Sequence, residues 1–169
     1  MPYTAQYFIE KLDLNAHPEG GYYKETYRAD GTIPQVTLPG GYTGDRSYAT
    51  SIYFLLDSNT FSAFHRIRSD ELWHFHAGTA LHLYIIDIQG KLTTIKVGSN
   101  LENNEQLQAV IPANSWFAAK VIANESFTLV GCTVAPGFDF DDFELANRDE
   151  LSTMFPQHAV LIKDLTRLQ

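Results

Sequence analysis

The sequence predicts an all-β fold, an antiparallel sandwich or barrel with short helical ends, and three observations carry that expectation. Between Ala49 and Val134, short runs rich in aromatic and β-branched residues alternate with turn signals such as Asp57-Ser58-Asn59, Gln89-Gly90 and Pro112-Ala113-Asn114-Ser115. No helical periodicity separates these runs, which argues against βαβ units and a parallel sheet. The third observation is composition: 44% hydrophobic, 13% aromatic and 19% charged residues supply core material for one folded domain in a chain of 169 residues.

The elements follow in order. Ala5, Phe8, Ile9 and Leu12 recur at helical spacing after Thr4, a good N-cap, so Thr4 to Leu14 reads as an amphipathic helix. His17-Pro18-Glu19-Gly20-Gly21 breaks it, and the aromatic run Tyr22 to Arg28 reads as a strand. Ala29 to Ser47, with glycines and prolines scattered among polar residues, reads as a long surface loop of the kind that serves as a lid. Further strands are expected over 51–56, 60–68, 72–76, 81–88, 91–97, 106–111, 116–122 and 127–134. A short helix is expected to open at Asn147. The expected organisation is one domain over 1–169, with an N-terminal helical segment (1–16), a barrel (17–145) and a C-terminal segment (146–169).

Bulk properties exclude several function classes. A formal net charge of −8 gives no basis for displacing counterions from nucleic acid or for docking on an acidic membrane. The single cysteine, Cys132, rules out an intrachain disulfide framework and, within an apolar run, reads as a small buried hydrophobe. No signal-peptide pattern and no apolar run of membrane-spanning length is visible, so a cytoplasmic protein is expected.

The stretch Phe61 to Gly78 holds the chemistry-bearing residues. Strict alternation puts Phe61, Ala63, His65 and Ile67 on one face of a strand, with Phe64, Arg66 and Arg68 on the other. His65 then points among small and apolar neighbours, and Glu71 follows across a turn. An imidazole and a carboxylate facing one pocket serve either as a general acid/base pair or as half of a metal site. His74 or His76 could complete a metal set only with a bulge, because alternation sets both opposite Glu71. The glycines Gly20 and Gly21 either form a plain turn or admit a ligand close to the backbone, with Tyr22 or Tyr23 lining the pocket. The acidic group Asp139, Asp141, Asp142 and Glu144 lacks the order of a calcium loop and reads as a solvated loop or a dimer contact. His82 reads as a surface or interface residue. Arg46, Arg66, Arg68 and Lys120 are the cations available to an anionic ligand, and Trp116 and Phe117 suit stacking on a ring.

These residues resemble the cupin family. His65, Glu71 and Gly78 fall at the positions of the first His, the Glu and the closing Gly of the first cupin motif, with Asn59 at the opening glycine and Ile67 at the second His. Pro112-Ala113-Asn114-Ser115-Trp116-Phe117 resembles the second motif, with Asn114 at its glycine and Phe117 at its His. Two of the four usual metal-ligand positions are therefore departures. The strings His17 to Tyr23, Phe64 to Arg66, Ser69 to His74 and Ala135 to Phe143 narrow the resemblance to the uncharacterised group called DUF985 or Cupin_5. The resemblance implies a double-stranded β-helix, the cupin jelly-roll barrel, and a homodimer. It also implies a likeness to RmlC-like epimerases of deoxysugar nucleotides.

Three functions are compatible with these residues. One is a metal-independent epimerase or isomerase of a sugar or sugar-nucleotide-like molecule, with His65 as base, Glu71 in proton transfer and Tyr22 as acid. Gly21, Tyr23, Arg66, His74, Trp116, Phe117 and Phe138 are then the ligand-binding candidates. A second is a non-catalytic metabolite binder or sensor using the same pocket. A third is a metal-dependent enzyme with a reduced set drawn from His65, Glu71 and His76; the expectation is that no cofactor is needed.

Overall fold

The computed structural model describes residues 3–168; Met1, Pro2 and Gln169, the outermost positions of the expected 1–169 domain, lie outside the described residues. Helix α1 (Ala5–Leu12) starts where the Thr4 hydroxyl accepts the Tyr7 N–H at 3.2 Å and stops at Asp13, which adopts a left-handed conformation. Its apolar stripe, Ala5, Phe8, Ile9 and Leu12, packs on Leu55, Phe127 and Leu129.

Thirteen strands follow among the described residues: β1 (Asn15–Ala16), β2 (Tyr22–Arg28), β3 (Thr32–Ile33), β4 (Arg46–Ser47), β5 (Thr50–Asp57), β6 (Ser62–Arg66), β7 (Asp70–Gly78), β8 (Leu81–Ile86), β9 (Leu92–Val97), β10 (Gln108–Ile111), β11 (Trp116–Val121), β12 (Phe127–Ala135) and β13 (Glu144–Leu145). Two antiparallel sheets, in the orders β1-β2-β5-β12-β7-β10 and β13-β6-β11-β8-β9, face each other. Their inner faces interlock through Phe54, Leu56, Trp73, Ile111, Val130 and Cys132 on one side and Leu81, Leu83, Ile85, Phe117 and Val121 on the other. The result, among the described residues, is a jelly-roll sandwich with α-helices only at its ends and short 3₁₀ turns between strands, in line with the pattern of short strands.

The outer face of the second sheet is covered from the C-terminal side. Helix α2 (Arg148–Met154) opens at Asn147, whose side chain accepts the N–H groups of Asp149 and Glu150. Helix α3 (Ala159–Asp164) follows it, an element the sequence reading did not separate from the tail. Leu151, Ile162 and Leu165 pack on Phe64, Ile86, Trp116 and Ala118.

Two local expectations are overturned. The 29–47 segment is not a free loop: β3 pairs with β4, and Arg46 is buried against Asp142 in a bidentate ion pair at 2.7 and 2.8 Å. The Tyr42 hydroxyl adds a buried contact to Ser69 at 2.9 Å. Strict alternation also fails in β6. Phe117 sits opposite His65 and Ala119 opposite Ser62, so β6 carries one extra residue. This bulge turns Phe61 outward to join Phe64 in the second-sheet cluster and turns Ser62 inward with His65.

Candidate functional site

Between the sheets, toward one end, lies a cavity of about 260 Å³ lined by residues of β2, β5, β6, β7 and β12, the 17–19 turn and the 138–143 segment. That is just below the range of about 300–1,000 Å³ for small-molecule pockets. Aromatic rings form much of its wall: Tyr23, Phe54, Trp73, Phe138, Phe140 and Phe143.

The polar centre is built from three elements. His65 comes inward on β6 behind the bulge and Glu71 comes inward at the start of β7, where it pairs in register with Ile111 and Val134. The third member is Glu19, from the turn before β2. That turn closes through Gly20 N–H to His17 O at 3.0 Å, and the Glu19 carbonyl accepts the Ala63 N–H at 2.9 Å. Gly20 has φ +115°, and a Cβ there would run into the Phe61 carbonyl, so only glycine fits. The Arg167 guanidinium clamps the same turn, donating to the carbonyls of Glu19 and Phe61 at 3.2 and 3.1 Å.

His65 Nε2 stands 2.9 Å from Glu19 Oε2, and its Nδ1 donates to the Ala63 carbonyl at 2.7 Å. Ser62 Oγ donates to the other Glu19 oxygen at 2.8 Å. Burial alone would drive the proton off His65, but the Glu19 charge and hydrogen bond, the Ala63 carbonyl and Glu71 outweigh it and raise its pKa. Burial likewise opposes ionisation of Glu19, and the His65 charge and hydrogen bond, with His17 and Ser62, overcome it and hold the carboxyl low. The pair is an imidazolium against a carboxylate.

Glu71 is in the opposite situation. Burial and the nearby Glu19 charge push its pKa up to about 7, only partly offset by His65, by the Trp73 indole N–H donating at 2.8 Å and by the Cys132 thiol. Its carboxyl is therefore poised to exchange a proton near neutrality. The Cys132 thiol lines the cavity but is raised well above its ordinary value, first by burial and then by Glu71, which makes it a poor nucleophile. His17 Nδ1 accepts the Glu19 N–H at 3.3 Å, and burial lowers its pKa, so its ring is neutral.

Among the sequence candidates, His65, Glu71, Tyr23 and Phe138 line this cavity. Phe117 lies behind it, its ring 4.0 Å from that of His65. The remaining candidates are elsewhere. Tyr22 alternates with Tyr23 and faces outward, packing beside Leu14 and Leu55. Gly21, at φ +75°, closes the turn against the Leu55 carbonyl and is not in the cavity wall. Arg66 points out of the sandwich, bonded to Glu144 at 2.7 Å and lying over the Trp116 ring, which faces the C-terminal helices. His74 and His76 follow the alternation of β7 onto its outer face, beside Gln108 and Tyr53. Glu19 and His17, which sequence reasoning treated only as part of a turn, are brought to the centre. The available signal was a carboxylate placed directly before two glycines in a string shared with the resembled family.

The residues present do not fit a cupin metal. Both nitrogens of His65 are committed to Ala63 and Glu19, and Ile67 and Phe117 occupy the positions of two further imidazoles. His76, the other candidate, is on the far side of the sheet. Among the described residues no group of three or more His, Cys, Asp or Glu is arranged to hold an ion. No helix of the described residues is long and apolar enough to cross a membrane.

The sequence matches the family described as Cupin superfamily (DUF985) over residues 6–146. It is 31% identical over 160 residues to the uncharacterized Saccharomyces cerevisiae protein YML079W, covering 89% of this chain and 79% of that one. Among solved structures it is similar to a hypothetical protein from Leishmania major, with a TM-score of 0.89 and 35% identity over 98% of this chain and 100% of the other. It is similar as well to protein SO0799 of Shewanella oneidensis, with a TM-score of 0.87 and 39% identity over 99% of each. Oxalate decarboxylase from Bacillus subtilis shares the fold alone, at 14% identity and a TM-score of 0.56 over 91% of this chain and 37% of that one. With the family matched from the first helix to the end of the barrel, and with the jelly-roll and the inward-facing His65 and Glu71 in place, the chain belongs to the cupin superfamily, in its DUF985 group.

Proposed function

We propose that the cavity is a metal-independent proton-transfer site of the isomerase or epimerase class, acting on a compact, sugar-like carbonyl compound. The observation that carries this reading is the position of Glu71: a buried carboxyl in the cavity wall, held by the Trp73 indole beside an already satisfied His65–Glu19 ion pair.

The roles differ from those expected from sequence. His65 has no free nitrogen with which to abstract a proton, so the base is Glu71 in its ionised form. Glu71 takes a proton from the carbon next to the substrate carbonyl, and the C–H electron pair moves onto the carbonyl oxygen. The His65 imidazolium, fixed in place by Ala63 and Glu19, acts on the negative charge that develops there through its field alone, since neither ring N–H is free to bond the oxygen. Glu71 returning its proton on the same face to the former carbonyl carbon, while the hydroxyl proton of the carbon it came from passes to the carbonyl oxygen, gives isomerisation. A proton taken from solvent on the opposite face, with Glu71 releasing its own to solvent, gives epimerisation. Tyr22, on the outer face, has no part in this, and no other acid is assigned. The cavity volume suits a single ring rather than a whole sugar nucleotide.

The test is hydrogen exchange in D₂O with a panel of aldoses, ketoses and their deoxy and amino derivatives, read by NMR at the carbon next to the carbonyl. Exchange by the native protein that is lost in Glu71→Gln supports catalysis. Saturable binding of the same compounds without exchange favours instead a metabolite-binding cupin, for which the fully satisfied hydrogen bonds of His65 are the supporting observation.

A further inference from the structure

The charges around the cavity bear on what it admits, a question resting on the reading of this cavity as the ligand site. Every cation in its wall is already neutralised. His65 is bonded to Glu19 and Ala63. Arg28, at the mouth, donates to both Glu25 oxygens at 3.0 and 2.7 Å and to the Phe138 carbonyl at 3.2 Å. An anionic ligand would have to displace one of these partners. Beyond the two neutralised pairs, the wall contributes two more carboxyl groups, Glu71 and Asp139, against no further cation.

Beside Thr50, Ile52, Ile67, Cys132 and Val134, the rest of the wall is aromatic, and several of its rings group together. Phe138 and Phe140 lie 5.0 Å apart edge to face, Phe140 and Phe143 6.1 Å apart, and the neutral His17 ring is 6.1 Å from Phe143 and 4.6 Å from Tyr23. Aromatic faces with carboxyl groups among them attract a cation through the ring quadrupole and through charge together, and the attraction is larger where water is excluded.

We infer that the cavity takes a cationic amine carried on a single compact ring, an amino sugar or a molecule of that shape, and turns away phosphate and carboxylate ligands. The aromatic collar surrounds the ammonium or the ring, and the carboxyl groups of Glu71 and Asp139, the latter also within the field of Arg28 and Arg46, supply the negative charge of the wall outside its two ion pairs. This selection separates the site from one built for sugar nucleotides, whose diphosphate needs free arginines or lysines.

Three probes of nearly equal shape isolate the charge: benzylammonium, benzyl alcohol and benzoate. Each is titrated into the native protein and followed by the ¹H–¹⁵N signal of the Trp73 indole, which reports on the Glu71 carboxyl it is bonded to. Benzylammonium is expected to saturate with an affinity at least tenfold above that of benzoate, with benzyl alcohol between them. Asp139→Asn, at the mouth and outside the Glu71–His65–Glu19 group, is expected to narrow the gap severalfold while leaving benzyl alcohol unchanged. Equal or tighter binding of benzoate, or no saturable shift with benzylammonium, overturns the inference. Binding is read here without turnover, so loss of hydrogen exchange would defeat the catalytic reading and leave this one standing.

Discussion

The imidazole of His65 and the carboxylate of Glu19 meet at 2.9 Å, and neither residue is more than 5% exposed. The two come from a strand and from a turn far apart in sequence, and each holds the other in its charged form. Removing one partner leaves a buried charge without compensation, which typically costs about 3–5 kcal/mol. Glu19→Ala is therefore expected to lower the free energy of unfolding by that order in urea denaturation. Glu19→Gln, which keeps a hydrogen bond to the ring, should lose less. A loss below about 1 kcal/mol for Glu19→Ala would show that the pair is not ionised.

The pH dependence of stability follows from the same groups. Glu19 is lowered, so its contribution is present above its ordinary value and is lost as pH falls through its folded value. His65 is raised, so its contribution is full below its ordinary value near 6.5 and is lost as pH rises through its folded value. Glu71 is raised from 4.5 to about 7, so folding favours its protonated form and its contribution declines as pH rises across that interval. A rise of that size corresponds to roughly 3 kcal/mol. Stability should accordingly peak in the mildly acidic range, between the ordinary carboxylate and histidine values. Glu71→Gln should flatten the decline between about pH 4.5 and 7 in urea titrations, whereas an unchanged slope there would mean that another group causes it.

Binding of benzylammonium should vary with pH through Glu71 as well. The groups facing that carboxyl are Glu19 and His65 across the cavity, Cys132 from β12 and the Trp73 indole on its own strand. Ionisation of Glu71 adds negative charge, so affinity should increase as pH rises through about 7 and level off above it. A titration flat across this range, or an affinity that falls, would remove Glu71 from the binding account.

Much of this fold was legible in the sequence because its signals are local. Thr4 and Asn147 as N-caps, the alternation that sends Trp73 inward and His74 and His76 outward, and the Asn114 turn at φ +62° all follow from neighbouring residues. The centre of the site was only half legible. His65 and Glu71 lie on strands with readable periodicity, but Glu19 reaches His65 through a tertiary contact. Ser62 faces inward only because of a bulge that no residue in β6 announces. The aromatic pair Tyr22-Tyr23 shows the limit in another way: composition marks both as pocket candidates, and a one-residue shift in strand phase decides between them.

The buried Arg46–Asp142 pair ties the β3–β4 hairpin to the short 3₁₀ turn Phe140–Asp142, which carries Phe140 to the cavity mouth and leads directly into Phe143. Arg46→Leu removes the bidentate partner of Asp142 and leaves it only the longer Arg68 contact at 3.6 Å, and should cost up to about 3–5 kcal/mol of stability. It should also weaken benzylammonium binding, because two rings of the collar lose their anchor. Full affinity in a folded Arg46→Leu protein would show that the collar holds without it.

Metal content offers a separate check, because the donor set around His65 does not suit an ion. Protein prepared without chelator is expected to carry less than one equivalent of zinc, iron or manganese, measured by plasma emission. Treatment with a chelator should change neither unfolding nor probe binding. Stoichiometric metal whose removal abolishes binding would mean that Glu19 leaves His65 in solution.

The central claim is that Glu71 exchanges its proton near neutrality while Glu19 holds His65 as an imidazolium. It is tested most directly by ¹³C and ¹⁵N NMR of the native protein across pH 4 to 9 (an interval about 2–3 pH units to either side of the midpoint expected near 7). The account predicts a Glu71 carboxyl shift with its midpoint near 7 and two protonated His65 nitrogens at that pH. A Glu71 carboxyl already ionised at its ordinary carboxylate pH, together with one unprotonated His65 nitrogen, would contradict it and return the role of base to the histidine.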